Sequence, residues 1–324
     1  MERRRVVIPG GSGFLGTLLA RWLGERDVDV VVLTRGPVRT GRPWQELHWD
    51  GETRGPWCET LEGADAVVNL AGRSVDCRYT ERNRRQILDS RLQSTRVLGE
   101  AIAACARPPR VWLNSSTATI YKHSLDASRD DVDGLIGATP EAKDAFSVAV
   151  ALAWEGVFEQ ARTPHIRKVA LRTAMVLGRE HGGVLRVLRR LTRLGLGGTM
   201  AGGAQFVSWI HEEDFCRAVD WLISNDALAG PVNVCAPHPV TNADLMRRMR
   251  ARCGVRVGLP APRWMLEVGA FFLRTETELV IKSRRVVPRR LLEAGFTFRF
   301  PDVDAALADL LGNVARPVLP VPAT

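Results

Sequence analysis

The sequence predicts an α/β protein built on a doubly wound parallel sheet, with a smaller C-terminal α/β lobe. Three observations carry this. The apolar run Val6–Ile8 leads through Pro9 into Gly10-x-x-Gly13-x-x-Gly16, and an apolar-periodic segment follows at once. Continuous apolar runs recur at Asp29–Thr34, Ala64–Ala71 and Lys168–Leu177. Such runs mark strands buried on both faces of a parallel sheet. Segments of helical spacing lie between them, so strand and helix alternate.

In chain order, Val6–Ile8 is the first strand, ending at Pro9, which lacks the donor a strand interior needs. Phe14–Leu23 is the first helix. The glycines have distinct roles in a dinucleotide site of the Rossmann type. One makes the tight strand-to-helix turn, one lets backbone N–H groups approach a pyrophosphate, and one lets helix and strand lie close. The uncapped helix start offers N–H donors and a positive dipole end. Gly10, Ser12, Gly13, Phe14, Leu15 and Gly16 are therefore candidate cofactor contacts.

Asp29–Thr34 is the second strand. About 20 residues past the glycine turn, an acidic residue grips the ribose of NAD. Arg35 stands there instead, with Arg39 and Arg42 nearby, and an arginine suits the 2′-phosphate of NADP. NADP(H) is therefore favoured over NAD(H). Leu47–Trp49 reads as a short strand, and Asp50 after it either faces the adenine edge or simply makes a turn. Ala64–Ala71 is a strand whose end, Leu70-Ala71-Gly72, lets the chain pass close under a cofactor. Thr80–Ala106 reads as a long helix. Val111–Leu113 starts a strand that runs into Asn114–Tyr121, Phe146–Ala161 recurs at helical spacing, and Lys168–Leu177 reads as one further buried strand.

Beyond Gly178 the pattern loosens, which divides the chain into a dinucleotide-binding domain at 1–178 and a substrate lobe at 179–324, with parts of 205–236 returning to the first domain. Helices are expected at Val184–Leu194, from about Asp214, from Asn242, and at Trp264–Leu273, Pro288–Glu293 and Asp302–Leu311. Strands are expected at Phe206–His211 and Val232–Cys235, and the Pro-rich end from Arg316 is expected to be loose.

Composition narrows the function. The net charge of +9 raises nucleic acid as a partner, but the arginines are spread through helices and no nucleic-acid motif accompanies them. A solvated basic surface, or an anionic small-molecule ligand, is the expectation. No apolar run approaches the ~20 residues of a membrane-spanning helix, so no membrane partner is expected. The six cysteines are scattered, without C-x-x-C or Cys/His clustering, which argues against a metal site and for reduced thiols in the cytoplasm. The oligomeric state is not legible.

Several motifs together carry a family resemblance: the glycine triplet, Asn69–Ser74, Asp89–Thr95, Ser208-Trp209-Ile210-His211-x-x-Asp214, Gly230–Val234, Pro239–Asn242 and Val287–Phe296. On these the chain resembles the extended short-chain dehydrogenase/reductases, in the NAD-dependent epimerase/dehydratase-like branch with an uncharacterised C-terminal domain. The resemblance implies a first lobe that binds a dinucleotide and a second that shapes a substrate pocket over the nicotinamide. Catalytic members of the wider superfamily use a Tyr-x-x-x-Lys pair with a preceding Ser or Thr hydroxyl. Thr117 falls at the hydroxyl's position, but Ser147 and Ala151 stand where the pair should be.

The expected function is therefore an NADP(H)-dependent oxidoreductase or epimerase acting on a small carbonyl or hydroxyl substrate without the usual pair. A non-catalytic NADP(H)-binding or sensing protein is the alternative. Thr117 is the candidate for holding the reacting oxygen. Tyr121, at a strand end, is a candidate proton donor or packing group, and His211 is an acid–base candidate or a structural partner of the helix start near Asp214. Arg73 and Trp209 are candidate substrate contacts. Thr275–Glu278 and Arg284–Arg285 read as solvated surface or lobe contacts.

Overall fold

In the computed structural model, residues 3–180, 182–267 and 276–312 are described. The strands that form the main sheet are β1 (Arg5–Pro9), β2 (Asp29–Thr34), β3 (Gln45–His48), β4 (Ala66–Asn69), β5 (Val111–Thr117), β6 (Arg167–Thr173) and β10 (Gly230–Val234). They pair in the order β10-β6-β5-β4-β1-β2-β3, all parallel.

Successive strand residues point to opposite faces, and both sets are apolar here. Val6, Ile8, Val30, Val32, Ala66 and Val68 join one core cluster, packed by helices α1 (Phe14–Gly24) and α5 (Glu212–Ser224). Val7, Val31, Leu33 and Val67 join the other, beneath α2 (Glu81–Ala103), whose Val97, Leu98 and Ile102 meet Trp112 and Phe158. Phe158 lies on α3 (Ala145–Gln160), the second helix of that face. This two-sided burial is why the strands read as unbroken apolar runs.

The order reverses at β1, which lies between β2 and β4. Open α/β sheets bind ligands at such a switch point, outside the carboxyl ends of the strands. Gly10, with φ +74°, turns the chain out of β1, and a Cβ there would stand 2.6 Å from the Cα of Ala71. A Cβ on Gly16 would stand 2.3 Å from the Cα of Gly11. Both positions need glycine for the turn to nest against β4 and for α1 to leave it.

One expected strand divides. Lys168–Leu177 is interrupted at Ala174, after which β7 (Met175–Leu177) leaves the main sheet and pairs with β9 (Trp209–His211). Hydrophobicity continues through the break because Leu177 and Trp209 enter a third core, with Leu245, Met249, Phe300, Val303 and Leu307. That core is shared by α4 (Val184–Arg193), α6 (Asn242–Cys253) and the helix Val303–Leu311. The short pair β8 (Phe206–Val207) and β11 (Val240–Thr241) completes the lobe. Chain segment 205–236 contributes to both halves: α5 packs on α1, and β10 extends the main sheet beside β6.

Helices also occupy Glu278–Ile281 and Arg289–Glu293. Of the helix expected at Trp264–Leu273, residues 264–267 are helical and 268–273 lie outside the described residues, as does the segment from Arg316. No helix among the described residues is long and apolar enough to cross a membrane.

Candidate active site

A continuous cleft runs across the carboxyl ends of β1, β2, β4 and β5. Its outer part, about 700 Å³, is lined by Ser12, Arg35, Asp50 and the α2 face carrying Asp89, Ser90 and Gln93. The inner part, about 520 Å³, is lined by Phe14, Leu15, Gly16, Thr117, Tyr79, Arg91, Ser147 and Trp154. Gly10, Gly13, Leu70, Ala71, Gly72 and Arg73 line both and join them.

The floor is fixed by the backbone. Leu70 N donates to Pro9 O at 2.9 Å, and the side chain of buried Asn69 accepts from Ala71 N at 3.1 Å. Asn69 Nδ2 donates to Asn114 Oδ1 at 2.7 Å, tying β4 to β5 below the cleft. Helix α1 begins after Gly13, which supplies no side-chain cap, so its first-turn N–H groups stay available where Phe14, Leu15 and Gly16 line the cavity. At the outer rim, Thr34 Oγ1 donates to Ser12 Oγ at 2.9 Å and holds the end of β2 against the glycine turn.

Three arginines were expected near this rim, and the structure separates them. Arg39 is committed to Glu46, whose carboxylate it meets at 2.9 Å. Burial works against ionisation of Glu46, but the Arg39 hydrogen bonds and charge outweigh it and hold the carboxyl below its usual range. Arg42 lies over the Trp44 ring. Arg35 is exposed and lines the cleft. Asp50 also lines it, while accepting from Glu52 N and Thr53 N and from the Thr53 hydroxyl. The Thr53 hydroxyl above all, then those two amides, pull its pKa down to about 2. Asp50 therefore makes the turn and faces the cleft at once.

Three of the sequence candidates are not brought to the cleft. Tyr121 is buried; its hydroxyl donates to Asn233 Oδ1 and accepts from Arg172 Nη1, both at 2.9 Å. Arg172 is itself held by both oxygens of Glu155. Burial raises the Tyr121 pKa to about 12. His211 caps α5, its Nδ1 accepting from Glu213 N at 3.0 Å, while Nε2 meets Asp309 and the ring stacks on Phe300. Trp209 is fully buried in the third core and donates to His238 O.

The Ser208–Asp214 motif is thus a joint between lobes. Ser208 Oγ bonds the backbone at Arg284 and Val286, and Asp214 accepts from Arg299 N and Phe300 N. An invitation to chemistry in the sequence turns out to be a set of buried polar groups finding backbone partners.

Conversely, the cleft recruits groups that sequence reasoning left without a role. Ser147 lines the inner part and donates to Glu278 Oε1. The Tyr79 hydroxyl reaches the same oxygen at 3.3 Å, and Tyr79 N donates to Glu276. Glu278 is 5% exposed, not solvated surface. Burial raises its pKa, against the hydrogen bond from Ser147 and the charge of Arg284. Burial likewise lifts Tyr79 to about 12. Two cleft hydroxyls on one buried carboxyl form a unit able to hold and pass a proton. Only the spatial approach of residue 278 to residue 147 creates it, and no local pattern announces that approach.

Arg73 is held by Ser90 Oγ through its N–H and by Asn83 Oδ1 through Nη2. Thr117 lines the inner part, with its hydroxyl accepting from Thr119 N at 3.1 Å.

Comparison with known proteins agrees with this architecture. Residues 6–235 match the NAD dependent epimerase/dehydratase family, and residues 261–310 match a domain of unknown function, DUF1731. The human epimerase family protein SDR39U1 is 31% identical over 95% of this chain and 99% of its own length. A crystal structure of human SDR39U1 (isoform 2) with NADPH superposes with a TM-score of 0.81 at 29% identity, covering 96% of this chain and 100% of that one. A nucleoside-diphosphate sugar epimerase from Corynebacterium glutamicum gives 0.75 at 27% identity, over 96% of this chain and 59% of that one. MoeE5, in complex with UDP-glucuronic acid and NAD, gives 0.74 at 19% identity over 95% and 97%, a likeness of fold. With the switch-point cleft, the glycine turn and a match over most of its length, this chain belongs to the NAD dependent epimerase/dehydratase family.

Proposed function

We propose that the cleft binds NADP(H) in preference to NAD(H), and that the protein is a cytoplasmic oxidoreductase or epimerase acting on a small carbonyl or hydroxyl compound. Residues 1–178, with part of 205–236, form the cofactor-binding domain in this reading, and the remainder of 179–324 the substrate lobe. The observation that carries it is the single cleft joining Arg35 to Thr117 and Ser147 through the glycine turn. Its parts fit a dinucleotide: an uncapped helix start for the pyrophosphate, small residues at Ala71 and Gly72, and a cation without a carboxylate partner among the described residues at Arg35. The bound cofactor of the human relative is NADPH.

When bound, the nicotinamide supplies or accepts hydride at a carbonyl or carbinol carbon. What remains for the chain's own residues is to hold the reacting oxygen and handle one proton. Thr117 donates to that oxygen, and Ser147 relays a proton between it and the buried carboxyl of Glu278, with Tyr79 fixing the carboxyl's orientation. The C-terminal domain thereby contributes to the chemistry in place of the absent Tyr/Lys pair.

A second reading, a non-catalytic NADP(H)-binding or sensing protein, rests on counting back from Glu155 along α3, which puts Ser147 and Ala151 at the positions of that pair. Absorbance of the reduced nicotinamide, followed across a panel of small aldehydes, ketones and oxo acids, separates the two. Substrate-dependent oxidation that falls at least 10-fold in Thr117→Val supports the enzyme. Stoichiometric NADPH binding with no turnover across the panel supports the binding protein.

A further inference from the structure

We propose that Arg91 is the receptor for one anionic oxygen group, a phosphate or a carboxylate, of the ligand that fills the inner half of the cleft. This rests on the cleft being the ligand site, and it assigns a chemical class to what enters there.

The first observation is an unbalanced charge. Arg91 lines the inner cavity from α2, its guanidinium part-buried between Gly72 and the ring of Trp154. No carboxylate among the described residues pairs with it. Burial lowers its pKa to about 10, which leaves it a cation at neutral pH. Cations drawn out of water are stable when paired, and a part-buried one left without a carboxylate at a cavity wall points to a partner that arrives with a ligand.

The second observation is geometric. Both donors of Nη1 are engaged, with Arg73 O at 3.0 Å and Ile87 O at 2.9 Å. These bonds orient the planar group and leave Nε and Nη2 without a protein partner among the described residues. Two parallel N–H groups on one edge match the two oxygens of a carboxylate or phosphate. Room for the guanidinium is made by Gly72, where a Cβ would stand 3.2 Å from the Arg91 Cζ. Arg73, on the same wall, donates through its guanidinium to the neutral side chain of Asn83 and adds a second positive charge. The anion comes either from the cofactor's own phosphates or from the substrate.

The test uses the full-length protein and compares wild type with Arg91→Gln and Arg91→Lys. NADPH affinity is read from nicotinamide fluorescence. Binding of oxalate and of inorganic phosphate is read by calorimetry on free and on NADP⁺-saturated protein. The expected result is oxalate or phosphate binding to the wild-type complex, weakened at least 10-fold by Arg91→Gln and less by Arg91→Lys, with NADPH affinity changed less than 3-fold. That places the anion on the substrate. A 10-fold loss of NADPH affinity in Arg91→Gln, without anion binding to the complex, places it on the cofactor and equally supports the site. The proposal is overturned if both affinities stay within 2-fold in Arg91→Gln. It is also overturned if wild type binds neither anion and Arg91→Gln, folded by circular dichroism, keeps its NADPH affinity. Absence of dinucleotide binding by wild type overturns the proposed function instead, and the anion titration of the free protein then decides the Arg91 site by itself.

Discussion

The hydroxyl of Tyr79 lies 3.3 Å from Oε1 of Glu278, a residue 199 positions further along the chain. Through this contact and the Ser147 bond to the same oxygen, the C-terminal segment is part of the cleft wall. Glu278 is buried beside Asp144, Lys282 and Arg284, with Lys282 held in an ion pair to Asp144.

This arrangement has a pH signature. Burial raises the Glu278 pKa in the folded state, so the native protein binds more protons than the unfolded chain just above the usual carboxylate range. Stability from this group is fully present below the unfolded pKa of about 4.3 and declines as pH rises through the folded value. Glu278→Gln, neutral throughout, should flatten that part of the melting profile and raise stability at pH 7 by on the order of 1 kcal/mol. An unchanged slope between pH 4 and 7 in thermal melts would remove the argument.

Tyr121→Phe should affect stability, not cofactor. It deprives Arg172 and Asn233 of a buried partner, a loss of about 1–2 kcal/mol in urea unfolding. NADPH affinity should stay within 2-fold. Lost turnover at unchanged stability would return Tyr121 to the chemistry.

His211 gives a second, opposite titration. Burial lowers its pKa, so stability from this group is present above the unfolded value of about 6.5 and is lost as pH falls through the folded one. His211→Ala should cost about 1–2 kcal/mol at pH 7.5 through the lost helix cap and should weaken the acid-side dependence. Chemical denaturation at pH 5.5 and 7.5 checks both, and equal losses at the two pH values would contradict the assignment.

Arg35 and Arg39 should behave as opposites despite their proximity. Arg35→Ala should lower NADPH affinity about 10-fold, the worth of a charge-assisted contact, with little change in NADH affinity or melting temperature. Arg39→Ala should spare both cofactors and destabilise by about 1–2 kcal/mol, below the range for a fully buried pair because Arg39 is 40% exposed on its side chain. A shift in cofactor preference on Arg39→Ala alone would reverse the assignment.

Legibility followed the range of the interactions. Strands buried on both faces and a glycine turn are local patterns, so β1, β2, α1 and the cleft floor from Leu70 to Gly72 could be placed from sequence. The break at Ala174 could not, because Met175–Leu177 stays apolar while Met175 and Leu177 turn into a different core and Val176 remains in the first. Tyr121, Trp209 and His211 each kept two readings for a related reason: hydroxyl, indole and imidazole serve chemistry or buried hydrogen bonding equally well, and their partners lie far along the chain. Glu278 was hidden in the same way, since its polarity suggested solvent. Arg91 stood inside a recognised motif, but its unpaired edge appears only when its surroundings do.

The position of β10 bears on how the protein is made. Strand β6 is complete by Thr173, yet its outer neighbour is not synthesised until Gly230–Val234. Until then the emerging polypeptide carries an open row of backbone donors and acceptors on an apolar strand, a template for pairing with another nascent chain. A translation product that stops between the two would keep that edge permanently. Such a product would lack the Glu278 side of the cleft wall as well, so an exposed sheet edge and an incomplete site would come together.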